Sequence, residues 1–522
     1  MSHYYYYQIM NHKKKELIVA VFILFTAAFF RFNNLAATPP GLYPDEAING
    51  NEAIQAYETG NYKVFYKDNN GREGLYINLL SIATNAFGNK PWVLRLIPAL
   101  AGTLTVLGLY LLVKQLFNWQ TAAFASFLLA ISFWHVLFSR IAFAGILAPL
   151  FLVWALYFFW LGLARASLWD FGASGLLFGL GLQTYLPFRV APLIAIITLV
   201  VYWATVRKHV AVGAGKHASN YILRGLGLTI ILGILAAAPL VWYFMNNPGM
   251  LFYRAGQVSV FSADNPLWQI IANAGKTIAM FFTKGDLNWR HNLSGSAMLI
   301  WPVGILFLIG VIRSIVKTVK SKEAHGHHSA AHAMLLSWLV IGLLPGIFSN
   351  EGIPHALRTI LVTPVVCIFA AETLWWIFTL IEKRYHEQDP KHEKEIPGFV
   401  AEDTFIATIA ICILLFSFSV VEYDKYFNKW AKDPNTAAAF NENYVKLADK
   451  VYLQSLSKPV YVLVKAGGVQ VNGIPMPAQT VMFLTDTFTL EKQKQRNIYY
   501  VTPKLIDSGY SLPKNAVVIP LE

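Results

Sequence analysis

Two adjacent carboxylates, Asp45 and Glu46, stand in the segment Tyr-Pro-Asp-Glu-Ala shortly after the first of many apolar stretches. Such a pair could act as a general base with a supporting acid, as a set of metal ligands, as a cation-transport site or as a solvated loop cap. Pro44 and the helical spacing of residues 46–57 predict that the pair lies at the N-terminus of a helix. A further acid, Glu73, follows in Asp-Asn-Asn-Gly-Arg-Glu-Gly.

The composition of the chain predicts a membrane protein. Hydrophobic residues make up 56% and charged residues 14% of the sequence, whereas soluble globular proteins have about 25% charged residues. About 20 helical residues span the hydrocarbon core of a bilayer. We count eleven predicted spans at residues 17–30, 96–113, 115–139, 141–164, 171–188, 190–206, 225–248, 293–312, 333–350, 359–381 and 404–421. The first span has an alternative interpretation as a cleaved signal peptide, since three lysines precede it and Leu35-Ala36-Ala37 is a weak cleavage-like site.

The distribution of positive charge predicts the orientation in the membrane. If the N-terminus is cytoplasmic, every inside connection is basic, as the positive-inside rule expects. The net charge of +13 is then explained by topology, and we predict no nucleic-acid partner, since no basic stripe interleaved with aromatic residues remains. The loops 33–90, 245–292 and 349–358 and the hinges around Arg140 and Tyr185 all fall on the outer face. The histidines of the inside segment 323–328 could bind a metal ion, but they lack a defined ligand spacing and a solvated loop is favoured.

The composition changes after the last span. Residues 1–424 form the predicted transmembrane domain, and residues 425–522 a small extracytoplasmic α/β domain. The latter has a helical stretch at 437–453 and short apolar runs at 460–464, 481–484, 498–501 and 517–520, which are typical of strands. It contains no phosphate loop, catalytic triad or metal-ligand spacing, so we predict no catalysis there.

Several motifs between about Arg31 and Trp376 resemble the family 39 glycosyltransferases, relatives of the dolichyl-phosphate-mannose protein mannosyltransferases and the aminoarabinose transferases. In chain order they are Arg31-Phe-Asn-Asn-Leu, Pro-Pro-Gly-Leu-Tyr-Pro-Asp45-Glu46-Ala, Gly71-Arg-Glu-Gly-Leu-Tyr, Pro91-Trp-Val-Leu-Arg-Leu-Ile-Pro, Trp134-His-Val-Leu-Phe-Ser-Arg140, Thr184-Tyr-Leu-Pro-Phe-Arg189, Gly285-Asp-Leu-Asn-Trp-Arg290-His291 and Ile353-Pro-His355-Ala-Leu-Arg358.

The resemblance implies an α-helical polytopic membrane fold of GT-C type, with about eleven transmembrane helices and an active site at the floor of the first outer loop. It implies a polyprenyl- or dolichyl-phosphate sugar as donor and gives Asp45 the role of catalytic base, with Glu46 and Glu73 as the other principal acids. Glu73 matches a residue that some relatives use near a bound metal, so a divalent ion there is an open alternative. Four further residues within the matching motifs are predicted to bind substrate: Arg72, Arg140, Tyr185 and Arg189. The acid that related branches place near Gly145 is missing from this chain.

The physical chemistry agrees with this interpretation. A carboxylate can take the proton of an acceptor hydroxyl as that oxygen attacks the anomeric carbon, and cations must face the departing lipid phosphate. The outer-face groups suited to the phosphate are Arg290, His291, His355 and Arg358. We therefore predict an inverting glycosyltransferase of the cell envelope that moves a sugar from a lipid-linked donor to a hydroxyl of a protein, glycan or lipid.

Two alternatives remain open at this point. A transporter or flippase of lipid-linked sugars would share the span count but would need ionisable residues at mid-membrane, where Glu372 is the candidate. A purely structural membrane protein is the other alternative.

Overall fold

The computed structural model describes residues 2–213, 215–319, 326–388 and 402–522. The helices of the membrane part and its outer loops are α1 Ser2–Phe32, α2 Pro44–Thr59, α3 Gly74–Phe87, α4 Pro91–Leu116, α5 Trp119–Ile131, α6 Phe133–Phe138, α7 Leu147–Arg165, α8 Leu168–Gly181, α9 Pro192–Gly213, α10 Gly215–Asn246, α11 Pro248–Leu251, α12 Tyr253–Gln257, α13 Pro266–Ala279, α14 Trp301–Val319, α15 Gly326–Ile347, α16 Thr363–Gln388 and α17 Glu402–Tyr423. Each predicted apolar segment overlaps at least one of these helices, and the segment 115–139 contains two, α5 and α6.

Eight helices in the described residues are long and apolar enough to cross a membrane, namely α4, α7, α9, α10, α14, α15, α16 and α17. Helices α5 and α8 are shorter, with 13 and 14 residues. The predicted bounds differ from the structure in several places, most clearly at 182–188, which form a turn and part of a short 3-10 helix after α8, and at 293–300, which form a loop before α14 begins at Trp301. Gly295 in that loop has a φ of +73°, a left-handed conformation that ends regular helix.

Small residues allow some of these helices to approach closely. Helices α8 and α10 lie side by side, and a Cβ added at Gly175 would lie 2.2 Å from the carbonyl oxygen of Thr229. This close backbone contact is typical of helix pairs in membranes, where packing rather than the hydrophobic effect drives association.

The first outer loop consists of α2, a short hairpin and α3. Pro44 begins α2, and the Glu46 carboxylate accepts a hydrogen bond from the Tyr43 backbone N–H at 3.2 Å, which satisfies an N-terminal donor of the helix. The hairpin pairs β1 Phe65–Tyr66 with β2 Arg72–Glu73 antiparallel. Its turn contains Asn69, Asn70 and Gly71, all with positive φ, and these residue types tolerate that conformation best. The helix predicted over 46–57 is confirmed, and 75–87 is helical too.

The C-terminal part folds into a small α/β unit that packs against α2. After a π-helical turn at Asp424–Trp430, its elements are α18 Pro434–Ala439, α19 Glu442–Ser455, β3 Val460–Val464, β4 Gln470–Val471, β5 Ile474–Pro475, α20 Ala478–Thr485, α21 Leu490–Arg496, β6 Ile498–Val501, α22 Pro503–Asp507 and β7 Val517–Leu521. The three longer strands form a parallel sheet in the order β6-β3-β7. Three of the four predicted strands are confirmed. The strand predicted at 481–484 is wrong, because these residues form the buried helix α20, whose short apolar run cannot be told from a strand by periodicity.

Helix α20 joins this unit to the first outer loop. The Asn51 side chain on α2 donates to the backbone carbonyl and the side-chain oxygen of Gln479, at 3.2 and 2.9 Å. The Thr480 hydroxyl donates to the carbonyl of Leu42 at 2.9 Å. Phe483 of α20 packs against Gly50 of α2. These contacts hold the C-terminal unit over the N-terminal half of α2.

Candidate active site

A cavity of about 1130 Å³ opens where the first outer loop, the loops 284–296 and 348–359 and the C-terminal unit meet. Nine of the predicted site residues line it: Asp45, Arg72, Glu73, Tyr185, Arg189, Arg290, His291, His355 and Arg358. These residues come from five separate motifs spread over more than three hundred positions of the sequence. The structure therefore brings the predicted outer-face groups together in one space.

Asp45 lies in the first turn of α2 and is half-buried. Its Oδ1 accepts a hydrogen bond of 2.6 Å from the Asn69 side chain, which the hairpin turn supplies. The guanidinium of Arg290 lies over the ring of the neighbouring Tyr43, 4.0 Å from the ring centroid. Burial and the negative charge of Asp45 raise the pKa of Tyr43, while Arg290 opposes this shift. The carboxylate thus borders a wall that carries a cation.

Two other charged residues of the first loop are bound to protein partners. The Glu73 carboxylate accepts a hydrogen bond from Arg189 at 3.2 Å, and Arg189 also donates to the carbonyl of Leu251 at 2.9 Å. Arg72 donates to the side chains of Asn49 and Glu52 on α2. Arg72 consequently fastens the hairpin to α2, although it still lines the cavity.

The structure corrects the predictions for Glu46 and Arg140, since both are fully buried and do not line the cavity. Glu46 accepts hydrogen bonds from Arg95 at 3.1 and 3.2 Å and from the backbone N–H of Ala142 at 2.9 Å. Arg140 donates to four carbonyl oxygens, those of Phe30, Arg31, Asn33 and Thr38, and to the hydroxyl of Tyr426. A buried charge with this many partners is structural, because its polar atoms are already satisfied.

The remaining predicted residues surround an acid that the sequence analysis did not single out. Asp286 is buried, and its Oδ2 lies 3.1 Å from His291 Nδ1 and 3.8 Å from His355 Nδ1. The same oxygen accepts a hydrogen bond from the backbone N–H of Ala356 at 2.8 Å. Asp286 thereby connects the two loops that carry the histidines and Arg358. Its position five residues before His291 in one motif was a signal that could have found it.

The two histidines beside Asp286 lie close to each other and to two arginines. The rings of His291 and His355 lie 4.8 Å apart between centroids. Burial, followed by the positive charges of His291, Arg358 and Arg290, holds the pKa of His355 well below its ordinary value. Arg358 donates to the Ser349 hydroxyl and, at 2.7 Å, to the carbonyl of Glu351, which positions its guanidinium at the cavity wall.

Another wall of the cavity comes from the C-terminal unit and carries no charged side chain among the described residues. Its members are Asn441, Tyr444, Gly467, Gly468, Val469, Met476 and Pro477. Gly145, where the resemblance led us to expect an acid, also lines the cavity, and a Cβ there would lie 2.6 Å from Leu357. The cavity therefore has one wall rich in cations and one neutral wall.

The chain is similar to a known protein family and to known structures. Residues 75–218 match the family model of the dolichyl-phosphate-mannose-protein mannosyltransferases. The structure is similar to that of ArnT from Cupriavidus metallidurans bound to undecaprenyl phosphate, with a TM-score of 0.52, 15% identity and coverage of 95% of this chain and 90% of that chain. The chain has the GT-C fold. Its predicted fold class is thus confirmed.

A second group of structures shares the GT-C fold. The oligosaccharyltransferase of Archaeoglobus fulgidus tethered with an acceptor peptide has a TM-score of 0.55 and 16% identity, over 94% of this chain and 64% of that chain. AglB from the same organism, in complex with an inhibitory peptide and a dolichol-phosphate, has a TM-score of 0.54 and 14% identity, over 95% and 65%. This chain therefore spans just under two thirds of the length of those relatives. A comparison with the curated protein sequences finds no significant match.

Proposed function

We propose that this chain is a membrane glycosyltransferase that moves a sugar from a polyprenyl- or dolichyl-phosphate donor to an acceptor hydroxyl. One observation carries the proposal: Asp45 shares a cavity with Arg290, His291, His355 and Arg358. A transfer of this kind needs a base beside the acceptor and positive groups where charge develops on the leaving phosphate. The GT-C relatives bound to undecaprenyl phosphate and dolichol-phosphate support this choice of donor.

The proposed reaction is a single displacement. Asp45 takes the proton of the acceptor hydroxyl, and the acceptor oxygen forms the new bond to the anomeric carbon. The bond from that carbon to the phosphate oxygen breaks on the opposite side, and the lipid phosphate leaves with the electron pair. The configuration at the anomeric carbon is inverted. Arg290 and Arg358 suit the phosphate best, because a guanidinium binds phosphate oxygens through two parallel hydrogen bonds.

The two walls of the cavity suggest where each substrate binds. The lipid phosphate is a dianion or monoanion and belongs at the cation-rich wall, whereas the acceptor would enter along the neutral wall formed by the C-terminal unit. In the proposed topology the N-terminus is cytoplasmic and this cavity faces the extracytoplasmic side. The acceptor is a protein, glycan or lipid hydroxyl presented there.

The transporter alternative finds no support in the described part of the chain. Its candidate residue, Glu372, is buried and accepts a hydrogen bond from Lys317, which lies in the last turn of α14. Glu372 also lies 3.6 Å from His332. The acid is therefore one member of an ion pair near a helix end, which is not the arrangement of a mid-membrane substrate site.

The proposal is tested with full-length protein purified in detergent and a panel of polyprenyl-phosphate sugars. Wild-type protein should hydrolyse or transfer at least one donor, and donors should raise its melting temperature, since ligands stabilise the native state that binds them. Asp45→Asn should lower turnover by about 10²- to 10⁴-fold, the range of a general base, while donor stabilisation persists. Asp264→Asn, at an exposed outer-loop acid, is the matched control and should retain full turnover.

Two results would overturn parts of this proposal. Retained turnover in Asp45→Asn would remove Asp45 as the base. Failure of every donor to stabilise or react with the wild-type protein would reject the lipid-phosphate donor itself.

A further inference from the structure

The cavity contains a cluster of three side chains whose capacity to bind a metal ion plays no part in the proposed transfer. Asp286, His291 and His355 each offer one ligand atom, and these atoms lie within 4.8 Å of one another. Asp286 and His291 are buried and His355 is nearly so. In the proposed transfer the histidines serve only as phosphate partners and Asp286 has no chemical role. In the described part of the chain, no other group of three or more histidine, cysteine or acidic side chains has this proximity.

We propose that Asp286, His291 and His355 bind a divalent transition-metal ion of the zinc class. Two imidazoles and one carboxylate form the ligand set of many catalytic zinc sites, which keep a further position open. With bonds of about 2.0–2.2 Å, tetrahedral ligand atoms lie about 3.3–3.6 Å apart. The distances from Asp286 Oδ2 to the two Nδ1 atoms are 3.1 and 3.8 Å, on either side of that range.

The surroundings fix the carboxylate in place. Asp286 Oδ1 accepts a hydrogen bond from the backbone N–H of Asn288 at 2.8 Å, and Oδ2 accepts one from Ala356 at 2.8 Å. Oδ2 also lies 3.1 Å from His291 Nδ1, and a metal ion bound by both atoms would replace that hydrogen bond. Partners of this kind orient a ligand and contribute strongly to metal affinity. The cluster lines the cavity, so the open coordination positions would be accessible to a substrate oxygen.

The charged neighbours of the cluster are held by other groups of the protein. Arg290 and Arg358 oppose a further positive charge, but Arg290 stacks on Tyr43 and Arg358 lies 3.7 Å from the Glu351 carboxylate. Glu73, the acid for which the sequence suggested a metal, is bound to Arg189 instead. The proposal concerns metal binding alone and does not depend on the proposed transfer.

The experiment uses full-length protein in which His325, His327 and His328 are replaced by alanine. This background is required because the histidine-rich segment 323–328, half of which lies outside the described residues, could chelate metal by itself. The protein is stripped with a chelator, dialysed and titrated with ZnCl₂ by calorimetry in the absence of donor. We expect one ion per chain, and a rise in melting temperature on adding zinc.

Three separate variants test the ligand set: His291→Ala, His355→Ala and Asp286→Asn. Each should weaken zinc binding by at least about 100-fold, the upper end of what losing an outer-shell partner costs, and should lose the zinc-dependent rise in melting temperature. Asp264→Asn, which removes an exposed acid of the same outer loop, should bind zinc like the background. Each variant must show a cooperative thermal transition without zinc; a variant that does not is set aside, and the other two decide the result.

The proposal is overturned if the background protein binds no zinc, or if folded variants of the cluster bind it as tightly as the background does. Because no donor is present, either result leaves the proposed glycosyl transfer to its own test.

Discussion

The first turn of helix α2 carries two neighbouring carboxylates whose surroundings differ. Asp45 and Glu46 are neighbours in the sequence, yet Asp45 borders the cavity whereas Glu46 is fully buried against Arg95. Glu46 accepts four hydrogen bonds from protein donors, whereas Asp45 accepts one from the Asn69 side chain and interacts with the Tyr43 hydroxyl. The difference teaches that the number of protein partners, rather than residue type, separates a structural carboxylate from a candidate base.

The arginines repeat this contrast. Arg95 and Arg140 are fully buried, and their guanidinium groups donate hydrogen bonds to carbonyl and carboxylate oxygens of the protein. Arg290 and Arg358 line the cavity. Arg290 is held by its contact with the Tyr43 ring, and Arg358 by its hydrogen bond to the Glu351 carbonyl. Arg95 ties the first loop to α4, and Arg140 binds the end of α1 and the residues after it, whereas Arg290 and Arg358 line the cavity.

The largest predicted effect comes from breaking the buried ion pair between Glu46 and Arg95. Glu46→Gln leaves the Arg95 charge buried without a counter-charge and should destabilise the protein by roughly 3–5 kcal/mol. Thermal unfolding of the detergent-solubilised protein measures this loss. Glu73→Gln is the matched comparison, since its Arg189 partner is partly exposed and such pairs contribute only about 0–1 kcal/mol. Asp45→Asn should likewise keep its melting temperature. Equal destabilisation by all three would refute the contrast between the buried carboxylate and those that line the cavity.

Glu52 sharpens the comparison, because it is buried on α2 but one of its oxygens, Oε1, has no hydrogen-bond partner. Burial raises the pKa of Glu52 from about 4.5 to about 7, and Arg72 offsets this only in part. The native state therefore holds this proton more tightly than the unfolded state, so stability falls as pH rises from about 4.5 to 7. At 1.36 kcal/mol for each pKa unit, the loss is at most about 3 kcal/mol.

Glu52→Gln should remove this part of the pH dependence, as measured by melting temperature between pH 5 and 8. Glu58→Gln, at an exposed position of the same helix, should leave the wild-type slope unchanged. A Glu52→Gln curve parallel to that of the wild type would show that Glu52 does not titrate in this range.

On the cavity side, Arg290→Lys should weaken donor binding by about tenfold or more, since a charged hydrogen bond contributes about 1.5–3 kcal/mol. Lysine also loses the planar contact with Tyr43. Titration with undecaprenyl phosphate, followed by thermal shift, measures the change. The control is Lys284→Ala, an exposed cation in the same loop that does not line the cavity. Unchanged affinity in Arg290→Lys would place the phosphate elsewhere.

The smallest effect concerns the neutral wall. A Cβ added at Gly467 meets no atom within 4 Å, so Gly467→Leu should fold normally and fill part of the cavity. Transfer to the acceptor should fall by about tenfold, equivalent to about 1.4 kcal/mol, while donor binding stays the same. Ser508→Leu, exposed and remote from the cavity, should have no effect. Weakened donor binding in Gly467→Leu would contradict the division between the two walls.

Most of the fold could be predicted because its signals are local. The long apolar segments identify the spans, and Pro44 with the spacing after it identifies α2. Errors arose where a local pattern has two solutions. The run at 481–484 is apolar throughout, so periodicity does not separate strand from helix, and only its packing between α19 and α2 selects the helix. Residues 293–300 are also partly apolar. They nevertheless form a loop, because the tight turns of the 284–296 loop delay the start of α14 to Trp301.

The candidate site shows a similar division. Eleven residues were predicted to act together because of their types and their common face, and nine of them line the cavity. Glu46 was misassigned since nothing local distinguishes it from Asp45, and the helix rotation that turns one toward Arg95 is set by tertiary packing. Asp286 was overlooked because its importance lies in contacts with His355 and Ala356, about seventy positions away in the chain.

The sequence by itself determined that this is a polytopic membrane protein with acids and cations collected in the loops between its apolar segments, because hydrophobicity and charge are properties of each segment. The tertiary structure alone decided which of these charges are accessible in the cavity and which are occupied by the protein. Burial and hydrogen bonding depend on residues that are distant in the chain, so no single segment contains that information.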